Sequence, residues 1–359
     1  MAEEQEREII TQEDVANYVG VSRAVVSYVL NDGPRRVSHE TRDRVLEAIQ
    51  ELGYRPNKHA QRLRVGNHLA RNSIGIIIGG KGYNVLERSY YSSMLARLFD
   101  SAHQLKQHIR FFSFFDAFKD PIFFNKNIHR EEISSLLILM PLLIVGDPDF
   151  DRIFSRITER IDTILCLEQS MYNLPAMEID LDAAARLAMG HLIELGHKRI
   201  AFISLHDERN HGYMQALREH DIPVDDAIIR KVNTTRLFTS AYDLTMELLN
   251  LRPAVSAIFC ANDEIGIGSM AAIHDSGLKV PDDISIVSID DTNVSSMVRP
   301  ALTTVKLPFD YMGTHALEYL LSLQANPDKK RASIALPVEL IVRQSTGRAK
   351  ILDSVNHGL

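Results

Sequence analysis

Apolar runs alternate with segments of helical periodicity from residue 73 onward, and this alternation constrains the fold more than any other feature. The runs include "SIGIII", "RIAFIS", "VSAIFC" and "ISIVSI". Alternating strands and helices are typical of parallel β-sheets covered by helices on both faces. Seven predicted strands in a chain of 359 residues fit two doubly wound α/β lobes better than one. Strands are expected at 74–79, 109–115, 136–140, 162–167, 199–204, 255–260 and 284–289, and helices at 91–106, 182–195, 209–219, 240–250 and 264–276.

The first 55 residues predict a separate, all-α head. Thr11 and Asp14 have the spacing of a capping box at the start of a first helix. Gly20 allows a tight turn, and Ser22 is a suitable N-cap for a second helix. A third helix is expected from Ser38 to about Leu52. Two short helices joined by a three-residue turn that contains glycine form a helix-turn-helix.

The second helix of such a unit places its exposed N-terminal residues in the major groove of DNA. The candidate DNA-binding residues of this region are Ser22, Arg23, Ala24, Tyr28 and Asn31. The window from 21 to 71 contains ten Lys or Arg and five Asp or Glu, whereas the whole chain carries a net charge of −7. A basic head on an acidic body indicates a polyanionic partner. A three-helix packing module with a basic surface remains the alternative.

The segment "GYRPNKHAQRLRVGNH" follows the third helix. A helix over 57–64 would have only about two turns and would be marginal alone. In a dimer on the minor groove, Leu63 could wedge between base steps while basic neighbours neutralise phosphates. We therefore expect this segment to become ordered on DNA.

Several other classes of protein are not indicated. The acidic N-terminus has no apolar signal region, and the longest apolar run, 136–145, is too short for a bilayer and contains Pro141. A cytoplasmic protein with no membrane association is expected, in which Cys166 and Cys260 are buried thiols. No histidine pair has metal-ligand spacing, no cofactor motif occurs, and neither catalysis nor a metal is expected. The glycine-containing stretch "IGIGSMAA" is interpreted as close helix packing.

Polar residues directly after three predicted strands indicate a ligand site at the sheet edge. Arg209 follows the first of these strands, Asn262 the second and Asp290 the third. Arginine, asparagine and aspartate together suit a hydroxyl-rich ligand in a cleft between two lobes. For any one of them alone, helix capping or a loop salt bridge is the favoured explanation.

The chain resembles the LacI/GalR family of bacterial transcription regulators along nearly its whole length. The resemblance is carried by "DVANYVGVSRAVVSYVLN", "RVLEAIQELGYRPNKHAQRL", "HLIELGHKRIAFI", "VPDDISIVSIDD", "RPALTTVKLP" and "ELIVRQST". It implies a hinge helix with DNA contacts at Asn57, Ala60 and Leu63. It also implies effector contacts at Arg209, Asn262 and Asp290, with Glu168 and Tyr90 contributing from the other lobe.

The resemblance further implies a homodimer that binds a palindromic operator in double-stranded DNA, represses transcription and responds to a small effector such as a sugar. The expected domains are a head at 1–55, a hinge and linker at 56–72, and an effector and dimerisation domain at 73–350, followed by a tail at 351–359. Its two lobes are expected at about 73–175 with 305–335, and 176–304 with 336–348. Residues 81–160 depart from the family pattern, most clearly in "FFSFFDAFKDPIFF". A cytoplasmic sugar-binding protein without specific DNA recognition is the alternative function.

Overall fold

The computed structural model describes residues 10–31, 37–54, 72–80, 89–205, 207–233, 236–326 and 333–350. The head consists of α1 (Gln12–Val19), α2 (Arg23–Asn31) and α3 (His39–Leu52). Val15, Val26, Val45 and Ile49 are completely buried where the three helices meet. Together they form one small apolar core with alanine and tyrosine neighbours, so the three short helices stabilise one another.

Local sequence signals set the ends of the head helices. The predicted capping box is confirmed, because Thr11 N–H donates to Asp14 Oδ2 at 2.7 Å and Asp14 N–H donates to Thr11 Oγ1 at 3.3 Å. Thr11 Oγ1 also donates to Asp14 Oδ2 at 2.7 Å, and this bond, together with that from the Thr11 N–H, holds the pKa of Asp14 below its usual value. Gly20 ends α1 with φ of +74°, a left-handed conformation that favours glycine. The predicted turn between the two helices is therefore confirmed.

The remainder of the chain forms two α/β sheets, each of six strands within the described ranges. The strands are β1 (Ser73–Ile78), β2 (His108–Phe114), β3 (Ser135–Leu139), β4 (Ile164–Glu168), β5 (Ala176–Ile179), β6 (Ile200–Ser204), β7 (Ile229–Lys231), β8 (Ala257–Cys260), β9 (Ser285–Asp290), β10 (Thr303–Lys306), β11 (Ile334–Leu336) and β12 (Glu339–Ile341). The helices after the head are α4 (Ser89–Gln104), α5 (Pro121–Asn127), α6 (Leu142–Val145), α7 (Phe150–Arg160), α8 (Leu181–Glu194), α9 (Arg209–Glu219), α10 (Leu237–Leu249), α11 (Asp263–Asp275), α12 (Asn293–Met297) and α13 (Phe309–Ala325).

The strand order is β11-β5-β4-β3-β1-β2 in the first sheet and β12-β10-β9-β8-β6-β7 in the second. In the first sheet β1 pairs in parallel with β2 and β3, and in the second β8 pairs in parallel with β6 and β9. The short strand β12 runs antiparallel to β10 at the edge of the second sheet. The predicted fold class, a helical head followed by two mostly parallel α/β sheets, is confirmed.

The predicted number of seven strands was wrong. The five strands that the prediction omitted, β5, β7, β10, β11 and β12, each have three or four residues. Such short segments lack an apolar run, and pairing with neighbouring strands rather than local pattern makes them extended. The seven predicted strands are all present, with ends shifted by one or two residues. Among the helices after the head, α5, α6, α7, α12 and α13 were missed.

The aromatic segment of residues 111–124 builds much of the core of the first lobe. It forms the end of β2, a 3-10 helix (Phe115–Lys119) and most of α5. The Phe118 ring lies 5.5 Å from that of Phe111 and 5.2 Å from that of Phe123, measured between centroids. These distances are those of favourable aromatic pairs. The segment that departs from the family pattern is therefore part of the core of this lobe.

The described fold divides into two compact units. Within the described ranges, the first takes in the head, β1, residues 95–177 and residues 312–334, and the second takes in residues 89–94, 178–311 and 335–350. Cys166 and Cys260 are buried thiols, as predicted, and burial raises the pKa of each to about 12. The helices within the described ranges include none with the length and apolar character needed to cross a membrane.

The interpretation of "IGIGSMAA" as close helix packing is confirmed. A Cβ atom at Gly268 of α11 would lie 2.5 Å from the carbonyl oxygen of Phe238 and 3.2 Å from the Cβ of Ala241, both in α10. Only glycine allows this approach of the two helices.

Candidate functional site

The N-terminus of α2 is exposed on the surface of the head. Ser22, Arg23 and Ala24 are exposed, and Tyr28 one turn later is half-buried. The Arg23 Nε atom donates a long hydrogen bond of 3.4 Å to Gln12 Oε1, which leaves the guanidinium in solvent. The side chains that the sequence assigned to base reading are therefore accessible at a helix N-terminus, where DNA-reading residues are placed in this motif.

Four of the predicted DNA contacts lie outside the described part of the structure. These are the side chain of Asn31 and all of Asn57, Ala60 and Leu63. The predicted hinge helix at 57–64 lies outside it as well, and its roles stay predictions.

The second sheet brings three predicted effector residues to one edge. Strands β6, β8 and β9 are neighbours and all parallel, so their carboxyl ends lie side by side. Arg209 is the first residue of the helix that follows β6, Asn262 lies two residues after the end of β8, and Asp290 is the last residue of β9. Neighbouring strands are about 4.8 Å apart, so the carboxyl ends of these three strands span roughly 10 Å of this edge.

Arg209 is a buried cation with unused hydrogen-bonding capacity. Its side chain is 10% exposed, and its Nη1 atom pairs with Asp207 Oδ2 at 2.5 Å. Its Nε atom is buried and has no hydrogen-bond partner among the described residues. An unsatisfied buried donor costs about 1 to 3 kcal/mol, so an acceptor from a bound ligand would remove this cost.

Asn262 also has a structural role. Its Oδ1 atom accepts the Ile265 N–H at 3.0 Å, and this bond caps the N-terminus of α11. The capping explanation that the sequence left open therefore applies to the oxygen of this side chain. Asn262 is 4% exposed, and its amino group is the part of the side chain that remains to donate to a ligand.

Asp290 and Asp291 form a turn with left-handed backbone angles. Their φ values are +122° and +56°, a region that non-glycine residues rarely adopt. Arg343 Nη2 donates to Asp291 Oδ1 at 2.5 Å, and Arg343 Nη1 donates to the Leu302 carbonyl at 2.8 Å. The loop salt bridge therefore involves Asp291, and it fixes the backbone that carries Asp290.

Asp263 follows the same strand as Asn262 but was not among the predicted effector contacts, and its buried carboxylate organises this edge of the sheet. Its carboxylate accepts hydrogen bonds from Ser288 Oγ at 2.6 Å, from Thr304 Oγ1 at 2.7 Å and from Thr292 N–H at 2.7 Å. Thr292 Oγ1 donates to it as well, at 2.8 Å. Asp263 is 1% exposed, and burial raises its pKa although these hydrogen bonds oppose the shift. The carboxylate thus joins α11, β9, β10 and the loop after Asp290.

Two further candidates lie outside this edge. Glu168 is the last residue of β4 in the first sheet, and its φ is +81°. Tyr90 belongs to α4, and its side chain is outside the described part of the structure. Their predicted contact with the effector stays a prediction.

Comparison with known proteins agrees with this architecture. Residues 11–57 match the model of bacterial regulatory proteins of the lacI family, and residues 189–346 match the periplasmic binding protein-like domain. Catabolite control protein A of Priestia megaterium is 31% identical over 346 residues, which cover 94% of this chain and 99% of that protein. The transcriptional regulator GalR of Salmonella typhimurium is 30% identical and covers 87% of this chain and 89% of its own length.

A solved structure of the Lac repressor dimer bound to operator and the anti-inducer ONPF is 29% identical to the chain. It covers 95% of this chain and all of its own, with a TM-score of 0.66. The curated relatives match both the head and the sheets, and they are regulators of transcription. The chain belongs to the lacI family of bacterial regulatory proteins.

Proposed function

We propose that this protein is a ligand-responsive repressor that acts in the bacterial cytoplasm. It binds a palindromic operator as a homodimer and senses a sugar or a related small metabolite. The observation that carries the proposal is the exposed N-terminus of α2 on a firmly capped three-helix head. The solved Lac repressor structure is a dimer bound to operator and to a small molecule. It supports a dimer in which ligand binding is coupled to operator binding.

The chemistry of the second sheet supports a hydroxyl-rich effector. Arg209 offers an N–H donor, Asn262 offers its amino group, and Asp290 offers a carboxylate. Sugar hydroxyls both donate and accept hydrogen bonds, so they can pair with all three groups. If the effector binds the DNA-bound and DNA-free states with different affinity, it would change the free energy of operator binding by about 1 to 3 kcal/mol.

We also propose that the protein performs no catalysis. A glycosidase needs two carboxyl groups that flank one bond, whereas Asp291 is tied to Arg343 next to Asp290. Purified protein incubated with aryl glycosides should release no aglycone, and turnover that depends on Asp290 would overturn this part of the proposal.

A mobility-shift assay tests DNA recognition. A pool of duplexes with a randomised centre is enriched on the purified protein, and selected and unselected duplexes are then compared at several salt concentrations. A repressor should select a palindrome that survives at salt concentrations where random DNA is released, because only the non-specific contacts are purely electrostatic. If no duplex is bound better than random DNA, the protein is instead a sugar-binding protein without specific DNA recognition.

A further inference from the structure

The head contacts the first lobe through α5, a helix that lies at the end of the aromatic segment. Ile122 of α5 packs against the apolar core of the head. Three residues later, Asn125 is completely buried, and its Nδ2 atom donates to the carbonyl oxygen of Ile49 in α3 at 2.9 Å. An apolar contact and a buried hydrogen bond therefore join the head to this helix.

The other side of the Asn125 carboxamide is held by the lobe. Its Oδ1 atom accepts hydrogen bonds from Arg160 Nη1 at 3.0 Å and from Arg156 Nη2 at 3.3 Å. Two guanidinium donors polarise the amide and strengthen the N–H that it presents to Ile49. The orientation of the Asn125 carboxamide is thus fixed by α7, independently of its hydrogen bond to the head.

The two arginines are themselves fixed by an aromatic ring. The guanidinium carbon of Arg156 lies 4.2 Å from the centroid of Phe124, and that of Arg160 lies 5.1 Å from it. Burial, together with the nearby positive charges of Arg160 and Arg152, lowers the pKa of Arg156 to about 10.

We propose that α5 is a seat that holds the DNA-binding head against the first lobe in the DNA-free protein, with Asn125 as the residue that positions it. Ser22, Arg23 and Ala24 remain exposed while the head is seated, so the contact leaves the reading surface open. Through this seat the first lobe contacts α3 directly, in addition to its covalent connection through the linker. The proposal rests on the proposed function only in naming the head as the DNA-binding part.

Fluorescence anisotropy decay of a dye on the head tests the seat. Asn17→Cys places a thiol on the exposed side of α1, and both native cysteines are buried, so the dye attaches at one place. A seated head rotates with the whole protein, whereas a tethered head adds motion on the nanosecond timescale. We expect little nanosecond motion in the labelled protein.

Two variants should release the head. Asn125→Asp keeps an acceptor for both arginines but removes the N–H donor and places a carboxylate against the Ile49 carbonyl. Ile122→Ser removes the apolar contact without altering Asn125. Each should increase the amplitude of the nanosecond component several-fold. Asn127→Asp is the matched control, because Asn127 lies on the same helix and donates to the Phe123 carbonyl within it.

The outcomes are separable. Circular dichroism and the melting temperature show whether each variant keeps its fold, and Ile122→Ser still tests the seat if Asn125→Asp does not fold. A fast component of full amplitude in the unaltered protein, or equal decays for Ile122→Ser and Asn127→Asp, would overturn the proposal. Because the readout uses no DNA, that result would leave the proposed function untouched.

Discussion

Arg343 and Asp291 form a largely buried ion pair of 2.5 Å that links the segment after β12 to the turn at Asp290. The two side chains are 19% and 14% exposed. Arg343 also donates to Ser295 Oγ at 3.0 Å, so one guanidinium holds β9, α12 and the segment after β12 together. The geometry of the candidate effector edge therefore depends on a residue more than fifty positions away in the sequence.

Replacement of Arg343 should destabilise the second unit. Arg343→Met leaves the Asp291 carboxylate buried without its cation, and loss of one partner of a buried pair costs roughly 3 to 5 kcal/mol. The residual exposure of this pair brings the expected cost to about 2 to 4 kcal/mol. Urea unfolding measures the change. The matched control is Lys350→Met at the exposed Lys350–Asp283 pair, which should cost about 1 kcal/mol or less.

Arg209 and Asp290 should be required for effector binding. A thermal-shift screen against a sugar panel should give a stabilising hit, because ligand at about 100 times its Kd adds roughly 2.7 kcal/mol to folding. The hit should vanish in Arg209→Ala and in Asp290→Ala. Lys198→Ala, an exposed substitution just before β6 at the opposite edge of the same sheet, should retain it. A full shift in both of the first two variants would contradict the proposed site.

Gly20 should be essential to the head, because alanine in a left-handed conformation costs about 1 to 2 kcal/mol. We expect Gly20→Ala to increase hydrogen exchange of the amides in α1 and α2 by a factor of about 5 to 30. Gly190→Ala serves as the comparison. That glycine lies inside α8, its φ is not in the left-handed region, and a Cβ added there would meet no other atom within 4 Å. Alanine should therefore stabilise the helix by about 1 kcal/mol and leave exchange in the head unchanged.

Acidification should destabilise the second unit through His197. Its Nε2 atom lies 3.0 Å from the Gly347 carbonyl oxygen and must donate to it, and in the neutral ring Nδ1 then accepts from Ser256 Oγ at 2.9 Å. Burial lowers the pKa of His197 below its ordinary 6.5. The unfolded chain then binds the proton more readily, and stability falls as pH drops through 6.5.

The size of this effect is limited to about 1.4 kcal/mol per pH unit for one group. Melting temperatures between pH 7.5 and 5 should fall less steeply in His197→Gln than in the unaltered protein, whatever the absolute stability of the variant. His191, whose pKa burial also lowers, should retain part of the slope. The exposed residue His220 provides the control, and an equal change of slope in His220→Gln would exclude the assignment to His197.

Leu63 should matter for specific binding but not for general attraction to DNA. The wedge role rests on the sequence pattern, and burial of one leucine contributes about 1.5 to 3 kcal/mol. Leu63→Ala should thus weaken binding to a selected operator by about 10- to 100-fold. Binding to random duplex, which depends on phosphate contacts, should be almost unchanged. Equal losses on both kinds of DNA would contradict the wedge.

Features that depend on neighbouring residues were readable from the sequence. The capping box of Thr11 and Asp14, the turn at Gly20 and the apolar strands of the sheets are specified within a few positions. The strand ends also led to the prediction of Arg209, Asn262 and Asp290 as one site, and their effector contacts stay a prediction.

Features that depend on distant residues were not readable. The role of Asp263 requires Thr304 from another strand, and that of Asn125 requires Ile49 from the head. No local pattern records such partners. The short strands β10, β11 and β12 were missed for the same reason, since their extended form depends on pairing with strands from elsewhere in the chain.

The placement of β11 in the first sheet and β12 in the second has a consequence for synthesis on the ribosome. The first unit also needs α13, where the Thr314 carbonyl accepts from Ser101 Oγ at 2.9 Å. Neither sheet can be completed until the last tenth of the polypeptide has emerged, although the head can fold as soon as it is translated. A chain that ends before residue 334 would therefore carry a folded DNA-binding head on two incomplete sheets, so such a truncation would impair both sheets together.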